Sequence, residues 1–463
     1  MTRRHAEGML EDMNMERDLT KGSVFKNIVV FSLPFLLSYF LQVLYGMADL
    51  FIVSQFNGTE SITAVSIGSQ IMHMLTVMIV GLAMGGTVAI GKAYGAKNSK
   101  ETSLAIGNTI TVFAIVAAIL TLVLVLAVSP VVSIMSTPAE AVEGTTAYLT
   151  ICFIGIPFIT AYNIISSIFR GLGDSKSPMY FIIVACICNI VLDYIFIGFL
   201  KMGPAGAALG TTLSQTISVI IAVIVIRHRK TGISLSKQNL RPEKRMISAI
   251  LRVGFPVSMQ DGFIQISFLI ITIFANSRGL ADAAAVGIVE KVIGIFFLIP
   301  SSMLAAVSSL AAQNFGAGKP ERARKTLMCA IAIAVGFGTI VSVITQFCAP
   351  QIVGIFETNP AVILLGSQYL IGYVWDCIFA GVHFSFSGFF CAREKAGLSF
   401  IHNVASILLM RVPGAWFAST HFKDTLFPMG CAAPLGSLIS VIICVVAYVI
   451  LLQKDKVTEN RTI

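Results

Sequence analysis

Twelve runs of apolar residues, each long enough to cross a lipid bilayer, dominate this chain of 463 residues. A span needs about 20 such residues. Inside hydrocarbon a helix satisfies every backbone N–H and C=O within its own segment, so such runs are read as helices. They lie at 27–50, 61–90, 104–128, 146–169, 178–200, 205–226, 247–275, 283–311, 326–348, 362–390, 397–419 and 430–452. The connections between them are short, and none is long enough to fold as a soluble domain. Composition agrees: 12% of the residues are charged, against about 25% in a soluble domain. The expected fold is an all-α integral membrane protein of twelve transmembrane helices.

A formal net charge of +9 invites a nucleic-acid reading, but the distribution of charge excludes it. Nearly all of the 32 Lys and Arg fall in the N-terminal tail, the even-numbered connections and the C-terminal tail. Only Lys201, Arg278 and Lys423 lie in odd-numbered connections, while Lys291 and Arg411 stand inside spans. This positive-inside bias predicts an inner (plasma) membrane protein with both termini cytoplasmic. The first 24 residues carry no apolar stretch or cleavage-like site, so the first span is expected to remain as an anchor. The nine cysteines show no CxxC spacing and read as small core residues.

The basic stretch 227–246 divides the chain nearly in half. The expected parts are a tail (1–26), a first lobe (27–226), this linker, a second lobe (247–452) and a tail (453–463). The lobes echo each other. Phe31-Ser-Leu-Pro34 matches Val253-Gly-Phe-Pro256, and Thr63-Ala-Val65 matches Ala284-Ala-Val286. Tyr94-Gly-Ala-Lys97 matches Phe315-Gly-Ala-Gly318, and Gly203-Pro-Ala-Gly206 matches Phe427-Pro-Met-Gly430. The offset stays between 221 and 224, which points to duplication. Six spans per half put both halves into the membrane from the same side, so the repeat is parallel. Two such lobes leave a central cleft, where transporters hold cargo and alternate access by rocking.

Charge at mid-membrane is costly and marks pathways for ions or substrates. Asp193 sits inside the fifth run with Asn189 one turn before it, on the same helical face. In the first run Ser38, Gln42, Tyr45 and Asp49 follow steps of 4, 3 and 4 and share a face. Pro34 precedes them and can kink the helix. Gly206, Ala207, Ala208 and Gly210 open the sixth run with small residues that allow close helix approach, followed by Thr211 and Thr212. Two carboxylates with amide and hydroxyl oxygens suit a hard cation. Two such acids held close together out of water do not both keep their charge, so either H+ or Na+ is a candidate coupling ion.

Pro34 fifteen residues before Asp49, the Gly-Ala corner after spans two and eight, Arg170-Gly-Leu-Gly-Asp174 and Asn189-Ile-Val-Leu-Asp193 occur here in one order. In this the chain resembles the multidrug and toxic compound extrusion (MATE) family, over about Lys26–Gln453. The resemblance implies a cation site in the first lobe at Asp49, Asn189, Asp193 and Thr211, with Gln42 and Tyr45 beside it. It also implies antiport of lipophilic, aromatic organic cations against H+ or Na+, in a monomer bathed by lipid, with no cofactor and no nucleic-acid partner.

The second half does not repeat the acids, since Asp193 aligns with Pro413. Span seven carries Asp261, Gln265, Thr272 and Asn276 on one face. Span eight carries Glu290 beside Lys291, and span ten carries Asp376 and His383. Some members of the resembled family use acids in spans seven and ten, and Asp376 lies about one turn from that position. Asp261, Gln265, Glu290, Asp376 and His383 are candidates for attracting a cationic substrate, with Glu290 pairing with Arg411 as the structural alternative. His73, His383 and His402 read as separate, and no HExxH motif or close ligand cluster predicts a metal beyond the proposed Na+. Phe (32) and Met (18) are abundant, and those lining a cleft would favour broad recognition of flat cations. Three other readings are weighed against an exporter. A lipid-linked saccharide flippase needs a cationic cluster for pyrophosphate, and a membrane-embedded transferase needs catalytic residues on a sizeable loop. An ion channel would lack saturable, coupled flux. No Walker A motif supports direct ATP drive.

Overall fold

A computed structural model of the chain describes residues 18–228 and 236–462. Each apolar run folds as a helix that extends past its apolar window into polar ends. The first six are α1 (Val24–Phe56), α2 (Thr59–Gly95), α3 (Ser99–Leu126), α4 (Ala139–Ile154 with Ile156–Gly171), α5 (Lys176–Phe199) and α6 (Gly203–His228). The next six are α7 (Lys244–Arg278), α8 (Leu280–Gly316), α9 (Pro320–Gly354), α10 (Pro360–Tyr373 with Asp376–Ala392), α11 (Ala396–His421) and α12 (Phe427–Thr462). Counting each bent pair as one span gives twelve. The final helix continues through the described part of the 453–463 segment. Of the linker, residues 229–235 lie outside the described residues, as do residues 1–17 of the N-terminal tail.

Local chemistry sets the ends of these helices. The Asn98 side chain accepts from Glu101 N at 3.1 Å and starts α3. Asp174 accepts from Lys176 N (2.9 Å) and Ser177 N (3.0 Å) and starts α5. Both are side-chain caps on otherwise unpaired backbone donors. Asp174 and Arg170 therefore serve structure: the Arg170 guanidinium lies over the Phe35 ring at 5.3 Å.

Two irregularities recur in both halves. α4 bends by 48° at Gly155 and α10 by 42° at Val374–Trp375. At the first bend Pro157 removes a backbone donor. A Cβ on Gly155 would lie 2.5 Å from Thr212 Cγ2, so the bend lets α4 press against α6. A π-helical turn follows at Tyr194–Phe199 in α5 and another at Ile407–Arg411 in α11. Such turns widen the helix locally and often mark functional sites.

By compactness the chain forms two units whose borders differ from the linker. Unit 1 combines Val29–Gly254 with Ala312–Lys319 and the described residues before Val24. Unit 2 combines Val24–Ile28, Phe255–Ala311 and the chain from Pro320 onward. In unit 1 a core of Ile52, Val53, Val65, Leu149, Phe153, Ile197 and Ala207 joins α1, α2, α4, α5 and α6. In unit 2 Val286, Val289, Tyr369, Tyr373, Ala415 and Met429 do the same for α8, α10, α11 and α12. Lipid is as apolar as these side chains, so close packing rather than escape from water holds the helices together, and small residues matter. The described part of the linker docks within unit 1. Thr111 Oγ1 donates to Leu240 O at 2.7 Å, and Glu243 N donates to the buried Asn108 at 2.7 Å.

Candidate functional site

α1 runs unbroken through Pro34, which is buried, and the Ser38 hydroxyl donates to the Pro34 carbonyl at 2.8 Å. About three turns beyond Ser38, the same face delivers Asp49 into the interior of unit 1, with 4% of its surface exposed. α5 brings Asn189 and Asp193, both fully buried. α6 brings Thr211, whose hydroxyl donates to Asp49 Oδ2 at 3.2 Å. The Asp49 carboxyl also lies within hydrogen-bonding reach of Asp193 and Asn189. Four residues from three helices thus converge. Both acid charges bear on the Tyr45 hydroxyl. Gln42 lies two turns before Asp49 on α1, half-buried.

The electrostatics are unbalanced. Neither carboxylate forms an ion pair among the described residues, and the groups acting on Asp49 are another acid, a hydroxyl and an amide. Asp49 Oδ1, both oxygens of Asp193 and both polar atoms of Asn189 are buried without a hydrogen-bond partner. Two ionised carboxylates have acceptors only, so they cannot bond each other. A proton shared between them, or a cation held by their oxygens, removes the conflict.

Two contributors, Tyr148 and Cys152, were not singled out from the sequence, and Gly210 was read there for helix approach alone. A Cβ on Gly210 would sit 2.0 Å from Asp193 Oδ1 and 3.6 Å from Asn189 Nδ2. The stripe of small residues in α6 therefore makes room for a carboxylate as well as for a helix. Tyr148 and Cys152, one turn apart on α4 and both buried, stand close enough for the Asp49 charge to act on them. Their spacing of four was the available signal, hidden in an apolar run.

The second-half candidates spread over unit 2. Asp261 is half-buried and accepts from Gln260 Nε2 at 3.5 Å. Gln265 is half-buried, and Asn276 is exposed. Thr272 donates to the Phe268 carbonyl at 3.0 Å and lies beside Glu290. Lys291 is exposed. Asp376, 1% exposed, neighbours Ser437. Arg411 is buried, donates to Tyr373 Oη at 2.7 Å and stacks over the Phe268 ring at 4.4 Å. Its charge acts on both Glu290 and Asp376, but no carboxylate comes within ion-pair distance of it among the described residues. The reading of the histidines as separate is corrected. The rings of His383 and His402 meet edge to face at 5.5 Å, and Ser387 Oγ lies 2.9 Å from His402 Nε2. Both histidines are buried on different helices, so a search along one helix at a time misses their contact.

The family model MatE matches residues 34–195 and again residues 256–417. The chain belongs to the MatE family. The two matches start and end 222 residues apart, within the register of the repeat read from sequence; in that register the counterpart of Asp193 is Ala415, two residues beyond the Pro413 expected from sequence. MatE proteins are membrane transporters and not enzymes. The probable multidrug resistance protein YoeA of Bacillus subtilis is 25% identical over 447 residues, covering 95% of this chain and 96% of its own. The multidrug export protein MepA of Staphylococcus saprophyticus is 25% identical over the same length and shares. A crystal structure of MATE in the bent conformation superposes with TM-score 0.88 at 24% identity, covering 95% of this chain and 98% of that one. An outward-facing multidrug resistance MATE family transporter of the MOP superfamily superposes with TM-score 0.86 at 23% identity, covering 93% and 96%. These neighbours establish the twelve-helix MatE fold for this multi-pass membrane protein.

Proposed function

We propose that this chain is a secondary active exporter of lipophilic, aromatic organic cations, driven by exchange for H+ or Na+ at Asp49 and Asp193. One observation carries the reading: two buried carboxylates side by side in unit 1, with Asn189 beside them, Thr211 bonded to Asp49, and no basic partner among the described residues. Burying charge without a partner costs several kcal/mol by order of magnitude, so the pair favours whatever neutralises it. An ion arriving from the side of higher electrochemical potential supplies that neutralisation, and its departure restores the repulsion. The difference in interaction energy between the two states biases which conformation the protein adopts. Tyr45 and Gln42 border the pair and would pass the change along α1. The named export proteins among its relatives support cargo export. The distribution of basic residues supports an inner membrane with both termini cytoplasmic.

The test is transport of a cation such as ethidium in proteoliposomes, with pH and Na+ gradients imposed one at a time. One gradient should drive efflux in the parent protein, and Asp49→Asn combined with Asp193→Asn should abolish it. Ion-driven efflux that survives the double substitution overturns the assignment.

A further inference from the structure

The residues just before α1 do not trail away from unit 1. Asp18 folds the segment locally, accepting from Thr20 N at 3.0 Å and from Thr20 Oγ1 at 2.5 Å. The next residue, Leu19, is buried to 1% exposure. Its backbone N–H donates to Gln313 Oε1 at 3.1 Å, and Lys319 Nζ donates to the Thr20 carbonyl at 3.0 Å. Gln313 is fully buried, and its other arm donates to the Gly171 carbonyl at the end of α4 at 3.0 Å. One amide therefore ties three segments together: the stretch before α1, the end of α4 and the end of α8.

Beneath this tie two helices cross at backbone contact. A Cβ on Gly95, at the end of α2, would stand 2.0 Å from the Gln313 carbonyl oxygen. A Cβ on Gly316, at the end of α8, would stand 2.0 Å from the Lys92 carbonyl oxygen. Gly95 and Gly316 are partners in the repeat at an offset of 221, and so are Lys92 and Gln313. The crossing is thus reciprocal and sits on the pseudo-twofold relation of the repeat. At the same offset Leu19 corresponds to Leu240, which is exposed and whose carbonyl accepts from Thr111 on α3, so the two positions are held differently.

We propose that Asp18–Ser23 is a clasp that locks the glycine crossing of α2 and α8, and that the clasp must release for this end of the protein to open. Backbone packed on backbone has no side chain to yield, so the crossing is either formed or parted. Gln313 and Lys319 make the formed state depend on a short segment outside the spans, where a few hydrogen bonds set how often the lock opens. The clasp itself is independent of the coupling ion. Its gating role rests on cargo entering from the side that carries the termini.

The experiment places a single thiol, Leu19→Cys, in a full-length background freed of its nine cysteines, with Lys100→Cys as an exposed control on α3. A membrane-impermeant maleimide is applied to the side bearing the N-terminus. Leu19→Cys should label about tenfold more slowly than the control, and adding Gln313→Leu or Lys319→Ala should close most of that gap. Labelling as fast as the control in the parent background overturns the clasp. In the second arm, Lys319→Ala and Gln313→Leu should each change the rate of ethidium efflux by about threefold or more, as gating substitutions do. A slowly labelled thiol with efflux equal to the parent in both variants overturns the gating role. Labelling needs no cargo, so a wrong cargo assignment would leave the first arm intact.

Discussion

Unit 1 buries two carboxylates that no base among the described residues answers, and unit 2 buries a guanidinium in the corresponding helix. Asp193 lies just before the π-helical turn of α5, and Arg411 closes the π-helical turn of α11. Both halves keep the span pattern, the bend in the fourth span of the half and the widened turn in the fifth. They differ in charge. Apolar windows and small residues suffice to preserve packing after duplication, whereas each charge held in the membrane is costly and survives where it is used. Arg411 is a cation that never leaves, steadied by Tyr373 and Phe268 in the field of Glu290 and Asp376. Unit 1, in the proposed mechanism, receives its cation from solution on every cycle.

This contrast can be broken by substitution. The largest effect is expected from Asp193→Asn or Asp49→Asn alone, a loss of ion-driven efflux on the order of 100-fold, because neither remaining acid then needs a shared ion. Efflux assays under each gradient check it. Next comes Gly210→Ala. The added methyl would meet Asp193 Oδ1 at 2.0 Å and swing the carboxylate off Asn189, weakening ion dependence by about tenfold or more while the helices still pack. Ion titration of efflux together with a melting curve separates the two effects. Thr211→Ala removes one hydrogen bond to Asp49 and should weaken the apparent ion affinity by about fivefold, the equivalent of about 1 kcal/mol. The smallest change in coupling belongs to Arg411→Met. It should lower the melting temperature through a loss of about 2–4 kcal/mol, yet leave the identity of the driving ion unchanged. If Arg411→Met instead makes efflux respond to a second ion, the resident cation in unit 2 is occupying a true exchange site, and the contrast dissolves.

Hydropathy alone located every span, because a helix in lipid announces itself by length and composition. The repeat was legible for a related reason: corners such as Tyr94-Gly-Ala-Lys97 and Phe315-Gly-Ala-Gly318 need particular residues at fixed offsets. Asp49, Asn189, Asp193 and Thr211 were legible as polar exceptions in apolar runs, and their convergence in unit 1 is a fact of helix packing. The bends were not legible. Gly155 with Pro157 is a common pair that many straight helices also carry, and the break at Val374–Trp375 contains neither residue. The role of Gly210 was hidden because a glycine's use is defined by what approaches it. The meeting of His383 with His402 depends on how α10 and α11 face each other, which no single-helix periodicity encodes. The clasp was invisible because Leu19 and Thr20 look like the end of a polar tail, and their partners lie about 300 residues away in the chain.

The chain has two tryptophans. Trp375 marks the break in α10 and Trp416 lies on α11, so both belong to unit 2. Intrinsic indole emission is therefore blind to unit 1 except through whatever unit 2 feels. A spectral change on adding H+ or Na+, abolished by Asp49→Asn, would be a label-free optical record of a message crossing the molecule, and its rise time would measure how quickly that message travels.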